Sequence, residues 1–275
     1  MKSKLFQMEY YDTYHFAHML DGMLKPSFEY PKLVDQFFDS LEHAQFLSGF
    51  QKFSALHQFV EFEIETVTLK SVADVVEDAL VNYEDYELWI NEALKYFKIE
   101  HTTFEEWLDI KGIELENISK KLILEYHDYL YDTGPFQSLL AQLTEEIFFL
   151  LFMNRDFLRR FNESVASYVK QFKIKGLSKD ERLLFTKDGV LKRDRIPVWA
   201  RRAIYYRDRG LCGYCHRDIS GLVNIHSDKH YDHIVPLARG GINDVTNLQL
   251  LCERCNLRKK HKNTKASKYY ERWYR

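Results

Sequence analysis

All four cysteines of the 275-residue chain fall in its last quarter, as two C-x-x-C pairs: Cys212/Cys215 and Cys252/Cys255. Two such pairs bring four soft thiolates to one tetrahedral ion, the coordination of a structural zinc, with no position left open for catalysis. In a cytosolic protein this spacing reads as metal binding before disulfides. The 36 residues between Cys215 and Cys252 exceed a simple zinc ribbon, so the insert must be a folded element clamped at its base. His216 follows the first pair directly, but four thiolates already complete the site. Inside the insert and just beyond it stand residue types suited to phosphodiester hydrolysis: Asp232-His233-Ile234-Val235-Pro236, Gly240-Gly241, Asn247-Leu248, then Cys252 to Lys259. That reaction needs an activated water, a cation on the phosphate and stabilisation of the leaving oxygen. A neutral histidine can take a proton near pH 7, and Asp and Asn oxygens are hard ligands for Mg²⁺ or Mn²⁺. Neighbouring strand residues point to opposite faces. Asp232 and His233 can therefore serve one site only through a local distortion or backbone contacts.

This order and spacing resembles the HNH endonuclease family, whose pattern runs DHI-x-P, GG, NL, LC-x-x-CN-x-x-K. The resemblance covers roughly Ile196 to Lys262. It implies a ββα-metal fold with structural zinc on Cys212, Cys215, Cys252 and Cys255. It further implies His233 as general base and Asp232 and Asn256 as ligands of a catalytic Mg²⁺ or Mn²⁺. Asn247 is implied in the catalytic set as the brace of the loop that carries the base. The chain departs from the pattern in two places. Asn256 stands where the last letter of the name has His, and His230-Tyr231 precede Asp232 where a Glu is frequent. His230 is accordingly a candidate metal-side group or phosphate contact, the alternative being a strand-end residue. His226 and His261 are expected as surface histidines.

The net charge of −2 conceals an asymmetry. Residues 1–175 hold 17 Lys+Arg against 30 Asp+Glu, whereas residues 176–275 hold 22 against 11. The basic part suits a polyanion, and Arg239, Arg254, Arg258, Lys259 and Lys260 are the expected contacts to DNA phosphates. The acidic part cannot be the main DNA surface. It is expected to bind a protein partner or to form a homodimer, with Phe148 to Phe152 as a candidate seam. The longest apolar run, Ile147 to Met153, is too short to span a bilayer. No apolar secretory segment opens the chain. The expectation is a cytoplasmic protein with no membrane association.

The elements that must position these residues divide unequally. Leu33, Phe37, Leu41 and Ala44 recur at helical spacing, as do Leu122, Tyr126, Tyr129 and Leu130. Phe136 to Phe172 fits one long helix or two, and Phe59 to Leu69 fits a helix or an alternating strand. Pro197 suits the first turn of a helix through Trp199, Ile204 and Tyr205. Strands are expected at Leu222–Ile225 and Tyr231–Val235, and a last helix carrying Leu248, Leu251 and the second cysteine pair. The fold class is a mainly α N-terminal domain (1–175), a basic linker (176–195), a small α+β nuclease domain (196–265) and an aromatic, basic tail (266–275). The function read from this is a metal-dependent DNA endonuclease, the nuclease effector of a bacterial anti-phage or restriction-type system. The alternatives are a non-catalytic zinc-containing nucleic-acid-binding module and a homing-type nuclease.

Overall fold

The structure is a computed structural model that describes residues 12–25, 31–40, 47–79, 88–114, 117–172, 177–223 and 229–259. Lys260, His226, His261 and the tail 266–275 lie outside the described residues. Eleven α-helices are described: α1 (Thr13–Met23), α2 (Pro31–Ser40), α3 (Ala55–Ala79), α4 (Trp89–Tyr96), α5 (Phe104–Lys111), α6 (Lys120–Thr133), α7 (Pro135–Met153), α8 (Arg155–Val169), α9 (Lys179–Leu183), α10 (Val198–Asp208) and α11 (Glu253–Lys259). One antiparallel pair, β1 (Tyr231–His233) and β2 (Leu248–Leu250), stands just before α11. The chain forms two compact units, one of residues 1–18 and 60–147, the other of residues 19–59 and 148–275. This division does not fall at residue 175, where the charge balance changes.

In the first unit, helix ends follow local chemistry. Thr103 and Glu106 form a reciprocal capping box at the start of α5, and Gly134, at φ 102°, closes α6 in the left-handed region before Pro135 opens α7. Its core is aromatic. Tyr126 is buried, donates to Asn91 Oδ1 at 2.6 Å and packs on Phe104 and Trp107. The uncertain stretch Phe59 to Leu69 lies within α3 and is helical. Helix α7, 19 residues long, is the one described helix long and apolar enough to cross a membrane, yet half of its most apolar window is buried within the fold.

In the second unit, helices from the N-terminal half pack with the C-terminal residues. Asn154 separates α7 from α8 by capping α8, its side chain accepting from Phe157 N at 3.1 Å. Phe37 and Phe38 of α2 meet Phe59 and Tyr168, and Phe59 meets Phe161 of α8. Phe148 and Phe152 are buried here rather than forming an outward seam: Phe148 stacks on His57, and the Arg207 guanidinium lies 5.0 Å from the Phe152 ring. Of that run only Phe149 and Met153 are exposed.

The stretch expected as a linker is folded. Its described residues contain α9 and an antiparallel bridge between Phe185 and Leu191, with Leu177, Phe185 and Leu191 buried. Leu248, expected in the last helix, is in β2, and α11 begins only at Glu253. No strand forms at Leu222–Val223, and the rest of that expected strand lies outside the described residues.

Candidate active site and metal centre

Two short strands cannot hold a site by themselves, so each is pinned from outside. Arg207 and Asp208, at the end of α10, are buried and pair with each other. Arg207 Nη2 donates to Leu248 O at 2.6 Å, and Asp208 Oδ2 accepts from Leu250 N at 2.8 Å, which fixes both ends of β2. Arg155 of α8 adds a second guanidinium to Asp208 at 3.3 Å. The register then sets Tyr231 against Leu250, Asp232 against Gln249 and His233 against Leu248.

The connection between the strands is closed by Asn247. Its side chain is fully buried. Oδ1 accepts from Val235 N at 2.8 Å, while Nδ2 donates to Val235 O at 3.0 Å and Ile242 O at 2.9 Å. This clamp leaves no room beside it: a Cβ at Gly241 would fall on Val235 O. At Gly240, φ is +85° and a Cβ would stand 2.6 Å from Ala166 O of α8. The Gly-Gly pair is thus required by the clamp on one side and a packed helix on the other.

His233 is 5% exposed. Burial first, then the Arg193 charge, pushes its imidazole down to about 3, so the ring is neutral. The Asn243 side chain acts in the opposite direction, raising the imidazole pKa. Nε2 is buried and has no hydrogen-bond partner among the described residues. Such an orphaned buried nitrogen is costly to keep and marks a functional position.

Asp232 points the other way along the strand, toward α11. Its Oδ2 pairs with Lys259 Nζ and accepts from Gln249 Nε2 at 3.3 Å. The same ammonium contacts His233 O. The two neighbours therefore meet at one point through a side chain and a backbone carbonyl. Two oxygens converge there on a cation, a donor set that suits a hard metal ion. Asn256 lies three residues before Lys259 on α11, a spacing that shares a helix face, and is half-buried. Lys259, expected on DNA phosphates, is instead buried to 1% side-chain exposure, because its charge is the partner of Asp232. Burial pulls the ammonium below the usual lysine range.

On the far side of the hairpin the four cysteine sulfurs lie within 4.8 Å of one another. Cys212 sits in a tight turn, its N–H donating to Arg217 O at 2.9 Å and its carbonyl accepting from His216 N at 3.0 Å. His216 adopts φ 56° there, and the clustered ligand set consists of the four cysteines. Gly213 N donates to Leu250 O at 2.8 Å, which ties the knuckle to β2. Burial, reinforced by the Cys252 and Cys215 sulfurs, pushes the Cys255 thiol up to about 12. Four thiolates can share that space only around a cation, and a tetrahedral Cys₄ site is what zinc prefers.

Residues 212–262 match the family model of the HNH endonucleases. No curated protein and no solved structure matches the chain. The HNH segment thus contains the cysteine cluster, the hairpin and α11.

His230 Nδ1 lies 3.1 Å from Leu251 O, and the buried ring faces a groove of about 710 Å³ on the knuckle side, with Arg217, Arg254 and Arg258. It is not gathered with Asp232 and Lys259. Arg254 and Arg258 are exposed on α11, Arg258 with one nitrogen 3.4 Å from Cys255 Sγ, and Arg239 is exposed on the turn after β1. Asn243 was not legible in the sequence, because nothing in its spacing marks it; only the fold brings its side chain to Lys192 O and Asp194 N.

Proposed function

We propose that this chain is a metal-dependent endonuclease that hydrolyses DNA phosphodiester bonds, with His233 as general base. The observation that carries the reading is the buried, neutral His233 ring, whose Nε2 has no hydrogen-bond partner among the described residues. Beside it, Asp232 Oδ2 and His233 O converge on a cation. A water placed against Nε2 would give up its proton there as its oxygen attacks phosphorus and the bond to the leaving oxygen breaks. Asp232 and Asn256 are the residues that would hold Mg²⁺ or Mn²⁺, which would neutralise charge on the phosphate and the leaving oxygen. Lys259 competes for the same Asp232 oxygen. Asn247 acts at a distance by bracing the loop after β1. Arg239, Arg254 and Arg258 are exposed cations that would contact phosphates, a contact that positions DNA without reading its sequence. The Cys₄ cluster would hold structural zinc. A nuclease effector of a restriction-type or anti-phage system is the context that the layout supports: an acidic, helical N-terminal part joined to an HNH segment.

The test is cleavage of supercoiled plasmid by the full-length protein in Mg²⁺ or Mn²⁺ against EDTA. Nicked or linear product that requires the divalent ion is expected. Metal-independent retention of intact plasmid would instead favour a nucleic-acid-binding module.

A further inference from the structure

We infer that the unit of residues 1–18 and 60–147 carries a binding site for a small phosphate-bearing molecule, in a cavity at the connection between α4 and α5. The inference goes beyond the nuclease reading and does not depend on it, since no residue of the segment 212–262 lines this cavity.

The cavity is about 410 Å³ and is lined by residues between Asn91 and Thr103. That volume lies within the roughly 300–1,000 Å³ of small-molecule sites and exceeds what a bare phosphate ion fills. Its frame is set locally. Helix α4 closes where Lys98 takes φ 56°, with Lys98 N donating to Lys95 O at 3.1 Å and Ile99 N to Leu94 O at 2.9 Å. Ile99 O then accepts from His101 Nδ1 at 2.8 Å, and Thr103 opens α5 with its capping box. These local bonds preorganise the walls.

What the walls offer is mostly donors. Asn91 is 6% exposed; its Oδ1 accepts from the Tyr126 hydroxyl at 2.6 Å, and its Nδ2 has no partner among the described residues. Thr103 Oγ1 accepts from Glu106 N at 3.3 Å, so its hydroxyl proton remains for another acceptor. Lys95 and Lys98 are exposed and line the same cavity. Neither is ion-paired among the described residues, although Glu100 lines the cavity with them. His101 adds a buried Nε2 without a hydrogen-bond partner. Polar groups left uncompleted in a wall cost stability, which the oxygens of a ligand would return.

The donor set also selects the anion. A planar carboxylate is matched by the two-pronged fork of an arginine, and none of the lining residues is an arginine. Two ammonium point charges with neutral donors suit a tetrahedral dianion, while Ile99 gives the remaining volume an apolar wall. The site is cationic within a stretch of opposite sign, since residues 1–175 hold 17 Lys+Arg against 30 Asp+Glu. Lysines on such a surface have carboxylates in excess to pair with, and these two stand beside a cavity instead.

The experiment titrates inorganic phosphate, ribose 5-phosphate and adenosine 5′-monophosphate into the full-length, zinc-loaded protein by isothermal titration calorimetry, with adenosine as the phosphate-free control. Saturable one-site binding is expected for the phosphates, with adenosine at least about tenfold weaker than its monophosphate. Tightening complete at ribose 5-phosphate would assign a sugar phosphate, and further tightening at the monophosphate a nucleotide. Lys95→Ala/Lys98→Ala should weaken the tightest of the three at least about tenfold, with circular dichroism and DNA binding unchanged. Asn91→Asp keeps an oxygen for Tyr126 but turns the donor end into a second, anionic oxygen, so it should weaken binding at least as much. No saturable binding of any of the three at millimolar concentration would overturn the inference. So would equal affinity in wild type and Lys95→Ala/Lys98→Ala, which would place the phosphate on the basic C-terminal part.

Discussion

Removing the Asn247 side chain should loosen the loop that carries His233 before it affects any chemistry. Asn247→Ala deletes three hydrogen bonds in one step, those to Val235 N, Val235 O and Ile242 O. The site is fully buried, so water cannot simply replace them. A stranded buried polar group costs about 1–3 kcal/mol, and the Val235 N–H loses its acceptor outright. With partial relaxation of the two carbonyls, the expected loss is about 3–5 kcal/mol. Asn247→Asp is the sharper variant. It keeps an acceptor for Val235 N–H but turns a donor toward two carbonyls into a third oxygen, so it should destabilise at least as much as alanine. Urea unfolding of zinc-loaded protein, followed by tryptophan fluorescence, reads both. A destabilisation below about 1 kcal/mol in either variant would refute the clamp. An aspartate variant of wild-type stability would point instead to a direct role for this residue in binding the ion or the phosphate.

Three other outcomes follow from the same geometry. One zinc per chain is expected by metal analysis, and Cys212→Ala or chelation should unfold the hairpin, since a Cys₄ zinc contributes about 10–16 kcal/mol to such folds; an apo protein with unchanged near-ultraviolet circular dichroism would contradict this. His57 accepts from Ser54 N at 3.0 Å through Nδ1, is stacked on Phe148, and is pushed by burial down to about 4. The unfolded chain therefore takes up a proton near pH 6.5 that the folded one refuses until about pH 4, so stability should be full above 6.5 and fall with pH through that window. The loss is up to about 3 kcal/mol and should be absent in His57→Phe when pH-dependent urea unfolding is compared. Lys259→Met should destabilise the protein while leaving DNA affinity in EDTA unchanged, whereas Arg254→Glu should weaken binding and its salt dependence; equal losses of affinity in gel-shift titrations would return Lys259 to the DNA surface.

The cysteine cluster was legible because two paired spacings carry the ligands and the geometry together. The DHI, Gly-Gly and Asn-Leu residues were legible for a similar reason: each sits within the segment whose order matches the family pattern. Asn243 and Lys259 were not, since what they touch depends on residues 26 to nearly 200 positions away in sequence. Leu248 to Leu250 form a strand too short for a period to register, and the following cysteine helix masked it. The basic stretch 176–195 looked like a linker by charge. Its buried Leu177, Phe185 and Leu191 are too widely spaced to form a pattern before the chain folds. Phe148 and Phe152 resembled an interface because their covering groups, His57 and Arg207, come from distant parts of the same unit.

The most direct test of the account compares wild type and His233→Ala at equal DNA occupancy, in Mg²⁺ or Mn²⁺, with zinc content and circular dichroism matched. The account predicts cleavage by wild type and a loss of at least about 100-fold in the variant without loss of DNA binding. A variant that binds DNA and cleaves at the wild-type rate would contradict it.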